Sequence, residues 1–99
     1  MTTYVYSAGR FSQVLTKELL KKGLKIEGVI DKYSDKKDLY GLPIVRLTES
    51  LDTNAEVLLI ISSFLYKEVV SELSEIGFSN FIYLGDLLKK NQNCIHKIV

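Results

Sequence analysis

The sequence predicts an α/β fold: a three-layer α/β/α stack around a mainly parallel sheet of four to five strands, in a single small domain. Three observations predict it. Short β-branched and aromatic runs alternate with segments of helical periodicity. The run Val57-Leu58-Leu59-Ile60-Ile61 is apolar throughout, as suits a strand covered on both faces of a parallel sheet. A chain of 99 residues has room for one core and buries only about two-thirds of its unfolded surface.

The elements follow in order. Thr3 to Tyr6 is short, β-branched and aromatic, which suits a first strand. Phe11, Val14, Leu15, Leu19 and Leu20 then fall at helical spacing with Gln13, Lys17, Glu18, Lys21 and Lys22 between them. Gly23 is placed as the left-handed stop. Ile26 to Ile30 returns to strand character. Asp31 to Asp38 has no apolar period and reads as an exposed, mobile loop. Gly41 to Val45 forms a turn and a short extended piece, with Pro43 restricting Leu42. Thr48 suits the cap of a brief helical turn from Glu49 through Ser50 and Leu51.

After the run at Val57–Ile61, Ser62 and Ser63 suit the start of a second helix. Its apolar positions are Tyr66, Val69, Val70, Leu73 and Ile76, and Gly77 ends it. Phe81 to Leu84 is a further strand, and Asp86 suits the cap of a final short helix through Lys90. The expected strand order is 3-2-1-4 or a variant, with Val57–Ile61 beside Tyr4–Tyr6 at the centre. The domain is expected to span residues 1–90. Residues 91–99 read as a tail, an edge strand, or the start of a further segment.

Composition narrows the function classes. The chain is 46% hydrophobic and 25% charged with a net charge of +1, so it reads as ordered rather than disordered. Its charges are interspersed, without the one-sided basic field of a nucleic-acid binder. The lysine pairs at 21–22, 36–37 and 89–90 fall at helix ends or in loops. No apolar run approaches the ~18 residues of a membrane span, and no signal pattern opens the chain. One cysteine, Cys94, forms no internal disulfide and fits a reducing compartment, so the expected location is cytoplasmic. Cys94 and His96 are two ligands where zinc normally takes four.

The most informative stretch is Tyr4 to Asp31. A strand, a turn Ser7-Ala8-Gly9-Arg10-Phe11-Ser12, a helix and a second strand ending in Asp31 make the first half of a Rossmann βαβ unit. The glycine pattern G-x-G-x-x-G of that unit stands here with serine at its first and last positions. In such sheets ligands bind outside the carboxyl ends of the strands. That crevice is expected between Ser7–Ser12, Asp31–Tyr33 including Lys32, and Ser62, Ser63 and Phe64.

Gly9 occupies the middle glycine position, where a bare backbone admits a pyrophosphate onto the N–H groups of the following helix. A purely structural turn is the alternative. Arg10 suits a charge-assisted bond to phosphate. Phe11 suits either stacking on a base or sugar, or filling the core. Asp31 lies 22 residues after Gly9, close to the ~20 at which an acid takes ribose hydroxyls, and Asp is equally at home where a strand turns out of the core. Ser62 and Ser63 read as helix caps rather than nucleophiles, because no histidine lies near them in sequence. Tyr33 and Tyr40 are the tyrosines expected at the surface.

With these residues placed, the chain resembles a Rossmann-like module of bacterial sugar-nucleotide and surface-polysaccharide enzymes. Tyr6–Ser12, Gly28-Val29-Ile30-Asp31 and Tyr40–Val45 carry the resemblance, supported by Leu59–Ser62 and Gly77–Tyr83. Similar modules are the N-terminal domain of bacillosamine-pathway sugar acyltransferases and the module preceding some FkbM-type methyltransferases. The nucleotide-binding domain of polysaccharide epimerases and dehydratases is a third. The resemblance implies a UDP-sugar or other nucleotide as ligand, ahead of NAD or CoA. Ser7, Ala8, Gly9, Arg10 and Phe11 would lie at the phosphates and Asp31 near the sugar. The usual Gly-Ala-Gly stands here as Ser-Ala-Gly.

The chain presents no catalytic machinery, so a binding module that is not catalytic alone is the leading expectation. Its partners would be the nucleotide ligand and a second copy or an adjoining catalytic domain, with neither nucleic acid nor membrane. The alternative is a degenerate, ligand-free docking or dimerisation domain of a larger methyltransferase or acyltransferase.

Overall fold

The computed structural model describes residues 2–84, apart from Ala8, Tyr33, Thr48 and Glu49, and the backbone but not the side chain of Phe11. Expectations for the Thr48 cap, the helix from Asp86, the 91–99 segment, Cys94 and His96 lie outside the described residues. Ser50 and Leu51 are described and carry no helix.

The chain forms β1 (Thr3–Tyr6), α1 (Arg10–Lys21), β2 (Gly28–Ile30), β3 (Asp38–Leu39), β4 (Leu42–Val45), β5 (Glu56–Leu59), a 3-10 turn (Ser63–Leu65), α2 (Tyr66–Ile76) and β6 (Asn80–Tyr83). It is an α/β fold, broadly Rossmann-like, with a multi-stranded sheet flanked by helices. Among the described residues the sheet has six strands in the order β3-β4-β2-β1-β5-β6, more than the four to five expected. All neighbours pair in parallel except β3 with β4.

β1 is central, with Val5 opposite Val29 on one side and Leu58 on the other. The apolar run therefore lies beside Tyr4–Tyr6, as its composition requires. The extended piece at 41–45 is a full sheet member, pairing Ile44 with Val29 and Val45 with Ile30.

The additional strand comes from a hairpin. Leu39 faces Leu42 across two residues, Tyr40 at φ +52° and Gly41 at φ +83°. Two successive positive φ values mark the two-residue loop whose twist suits a hairpin. Tyr40 is exposed, as expected for that residue.

Side chains alternate across the sheet and make two cores. Val5, Val29, Leu58 and Ile60 pack with Leu15 and Leu19 of α1. Tyr4, Ile30, Val57 and Leu59 pack with Val69 and Leu73 of α2 on the opposite face. Coverage on both sides is why β5 shows no polar alternation.

Both helices stop as their glycines predict. Leu24 N–H reaches the Leu19 carbonyl at 3.1 Å while Gly23 N–H takes that of Leu20 at 3.0 Å. Phe78 and Gly77 repeat this pair on Leu73 and Ser74, at 3.1 Å each. These are the bonds of the left-handed helix stop, with Gly23 at φ +91° and Gly77 at φ +121°.

Gly28 has a different reason. A Cβ there would lie 3.0 Å from the Pro43 carbonyl oxygen, so any side chain at residue 28 would press β4 away from β2.

Candidate functional site: the crevice at the carboxyl ends of the sheet

The ends of β1 and β2 lie side by side, because their register sets Tyr6 against Ile30. Each chain then turns out of the sheet. Ser7 N–H still donates to the Ile30 carbonyl at 2.7 Å, and Asp31 N–H donates to that of Val45 at 3.1 Å. Parallel pairing thus carries one position past the strands and brings Ser7 and Asp31 to one rim.

The turn after β1 inverts the expected division of labour. Gly9 is extended, at φ −67° and ψ 170°, a conformation open to any residue. The left-handed backbone falls instead on Ser7, at φ +90°. Serine stands where the motif's first glycine would be, and it adopts glycine's conformation.

Two hydroxyls compensate. Gly9 N–H donates to Ser7 Oγ at 3.1 Å. The Ser12 hydroxyl, whose residue is 1% exposed, donates to the Ser7 carbonyl at 2.5 Å. At the bare backbone expected to admit a phosphate, the Gly9 amide is thus already taken by a side chain of its own turn. Gln13 N–H closes the first helical bond on the Gly9 carbonyl at 2.9 Å. Arg10, Phe11 and Ser12 belong to the first turn of α1, where no earlier turn of helix supplies carbonyls for their amides. Arg10 is exposed, and Ala8 and the Phe11 side chain lie outside the description.

The loop after β2, expected to be exposed and mobile, is exposed over Asp35–Asp38 but is tied at its start. Ser34 N–H donates to Asp31 Oδ1 at 2.9 Å, and Lys36 N–H to Ser34 Oγ at 3.2 Å. Arg46, just past β4, donates through its guanidinium to the carbonyls of Lys32 and Ser34. Asp31 therefore has a structural task in addition to its place at the rim. Lys32 reaches across to Glu72 of α2, 2.9 Å from Oε1 and 3.1 Å from Oε2.

These segments enclose a cavity of about 240 Å³. Tyr6, Ser7 and Ile61 form the strand-end wall, Asp31 and Lys32 the loop wall, and Leu65, Glu68, Val69 and Glu72 the helix wall. Ser7, Asp31 and Lys32 are brought together as expected from topology.

Ser62, Ser63 and Phe64 are not among the walls; Ile61 and Leu65 stand there instead. Both serines are exposed, and Ser62 makes no capping bond through its side chain. Ser62 stands at the N-cap of the 3-10 turn, which runs directly into α2 at Tyr66. The expected cap position is thus taken by Ser62, without the side-chain bond expected of a cap. Gly9, Arg10 and Ser12 stand beside the crevice in sequence but do not line it.

Among the described residues the lining carries three carboxylates, Asp31, Glu68 and Glu72, against one ammonium, Lys32. Among the described residues no group of three or more His, Cys, Asp or Glu side chains is arranged to hold a metal ion. Such a crevice offers mainly acceptors, which suit hydroxyl donors and repel phosphate.

Glu68 and Glu72 were not foreseen. Their spacing from Leu65 and Val69 marks one helix stripe, but which strand ends that stripe would meet depends on tertiary packing. A larger, more open hollow of about 580 Å³ lies at the other end of the sheet, beside Thr3, Ile26 and Asp52. Ligands of open α/β sheets bind at the carboxyl ends, so the smaller crevice is the candidate. No helix among the described residues is long and apolar enough to cross a membrane.

No family model matches the chain, and neither the curated proteins nor the solved structures contain a match.

Proposed function

We propose that this domain binds a nucleotide or nucleotide-sugar of the UDP-sugar kind at the carboxyl-end crevice. It would serve surface-polysaccharide or glycoconjugate synthesis in the cytoplasm and would not be catalytic alone. The observation that carries this reading is the cavity that Ser7 and Asp31 share, with Ser7 in the turn that leads into α1.

Size and charge refine it. At about 240 Å³ the crevice falls below the roughly 300–1,000 Å³ of a whole small-molecule site, so it takes one ring-sized group. Its carboxylates suit a sugar or ribose, whose hydroxyls donate to them. The phosphates would then lie outside, at the Gly9–Arg10 end of α1, where the helix dipole favours negative charge.

Amide shifts on titration with UDP-glucose, UDP, NAD and CoA test this reading. Saturable shifts at Ser7, Gly9, Arg10 and Asp31 are expected with the uridine ligands. Asp31→Asn should weaken binding roughly tenfold or more, since a hydrogen bond to a charged group contributes about 1.5–3 kcal/mol. Flat titrations at millimolar concentration of every ligand would discard the proposal.

The second reading is a ligand-free docking or dimerisation domain. Its specific support is the Gly9 amide occupied by Ser7 Oγ, together with Phe64, 82% exposed on the 3-10 turn. It requires flat titrations together with self-association, which light scattering detects and Phe64→Ser should abolish.

A further inference from the structure

We propose that the Lys32–Glu72 ion pair is a latch across the crevice, parted whenever the crevice fills. Lys32 and Glu72 belong to facing walls, the loop after β2 and the helix α2, and stand 40 positions apart in sequence. The ammonium meets both carboxylate oxygens, at 2.9 and 3.1 Å. The two side chains are 34% and 29% exposed, whereas Val69 on the same helix wall is 6% exposed. The charges therefore stand on the solvent side, with apolar surface behind them.

The two ends of the latch differ in what holds them. Glu72 is on the regular helix α2. The backbone of Lys32 is gripped from behind by Arg46, which also holds the Ser34 carbonyl. What remains to move is the lysine stem, a flexible four-carbon chain. A partly exposed pair is weak and screened by salt, so it opens readily and biases access without sealing the crevice. Opening needs no rearrangement of the loop backbone.

This rests on the crevice being a place that fills, but access to it can be read without any nucleotide. A neutral nitroxide in solution broadens the methyl signals of Val69 and Ile61 in proportion to its access. Glu72→Gln and Lys32→Met should each raise that broadening by up to about fivefold, the limit set by a pair of this exposure. Salt at about 1 M should move the wild type the same way. The reversed pair K32E/E72K should return broadening to the wild-type level. Equal broadening in all the proteins would overturn the latch.

A ligand arm separates the latch from the function proposed above. Where UDP-glucose binds, Lys32→Met should bind it more tightly than the wild type, since it opens the pair and keeps all three carboxylates. Weaker binding by Lys32→Met would make Lys32 a direct contact and overturn the latch. Absence of any nucleotide binding would remove the proposed function and leave the nitroxide result to decide the latch alone.

Discussion

Replacing Ser7 by glycine and, separately, by alanine isolates the strain in the turn after β1. Ser7 holds φ +90°, where a Cβ is crowded against its own backbone. Alanine keeps that Cβ and removes the hydroxyl, losing the bond from Gly9 N–H, about 0.5 kcal/mol for an exposed pair at the weak end of the usual range. Glycine loses the same bond and also relieves about 1–2 kcal/mol of left-handed crowding. Against this stands about 0.4–1 kcal/mol of extra chain entropy in the unfolded state.

The two variants should therefore differ by about 1 kcal/mol, with Ser7→Gly the more stable. Urea unfolding with a common slope would place their midpoints roughly 0.5–1 M apart. Both variants release the Gly9 amide, so both should bind UDP about tenfold more tightly, as one added hydrogen bond to a charged phosphate supports. Stability separates the variants and affinity does not. An alanine variant as stable as the glycine one would refute the assignment of strain to Ser7. Unchanged UDP affinity in both would refute the blocking role of its hydroxyl.

Three further outcomes follow from neighbouring contacts. Ser12→Ala leaves the Ser7 carbonyl without its 2.5 Å donor; after a small gain in helix propensity the net loss should be about 1 kcal/mol by urea unfolding. Gly28→Ala puts a methyl 3.0 Å from a backbone oxygen that cannot rotate away, so a loss of about 1–3 kcal/mol is expected, visible as a fall of several degrees in Tm. Arg46→Ala removes the grip on the Lys32 and Ser34 carbonyls. Amide exchange should quicken about fivefold or more at Ser34 and Lys36, while Leu58 in β5 keeps its rate.

What could be read from the residues follows from which forces act locally. Val57–Ile61 announced a doubly covered strand because the absence of polar alternation is itself the signal. Gly23 and Gly77 announced helix ends because the left-handed stop is a backbone requirement of the adjacent turn. The turn at Gly41 was legible, but the β3–β4 hairpin stayed hidden because β3 is only Asp38–Leu39, two residues at the end of a polar loop that carry no strand pattern. At the crevice, Ser7 and Asp31 were legible because each directly follows one of two adjacent parallel strands. Glu68 and Glu72 were not, since the placement of their helix face depends on how the crossover packs. Ser62 marked the start of the helical segment correctly, but neither it nor Ser63 lines the crevice, because the 3-10 turn they open leaves both exposed.

The two serines of the turn are best understood as one change. A glycine at position 7 would adopt the left-handed backbone at no steric cost, but it has no hydroxyl to accept the Gly9 amide. Serine there is tolerable because Ser12, buried one helical turn away, fixes the Ser7 carbonyl while the Ser7 hydroxyl satisfies Gly9. Restoring glycine only at position 12 would remove that support and keep the strain. It would also add a helix-weakening residue near the start of α1. The effects of the two sites should therefore not add, and a double-mutant cycle between Ser7→Gly and Ser12→Gly should show coupling of about 0.5 kcal/mol or more. Strict additivity would mean that the two hydroxyls act independently, and the turn would then be a degraded glycine loop rather than an alternative one.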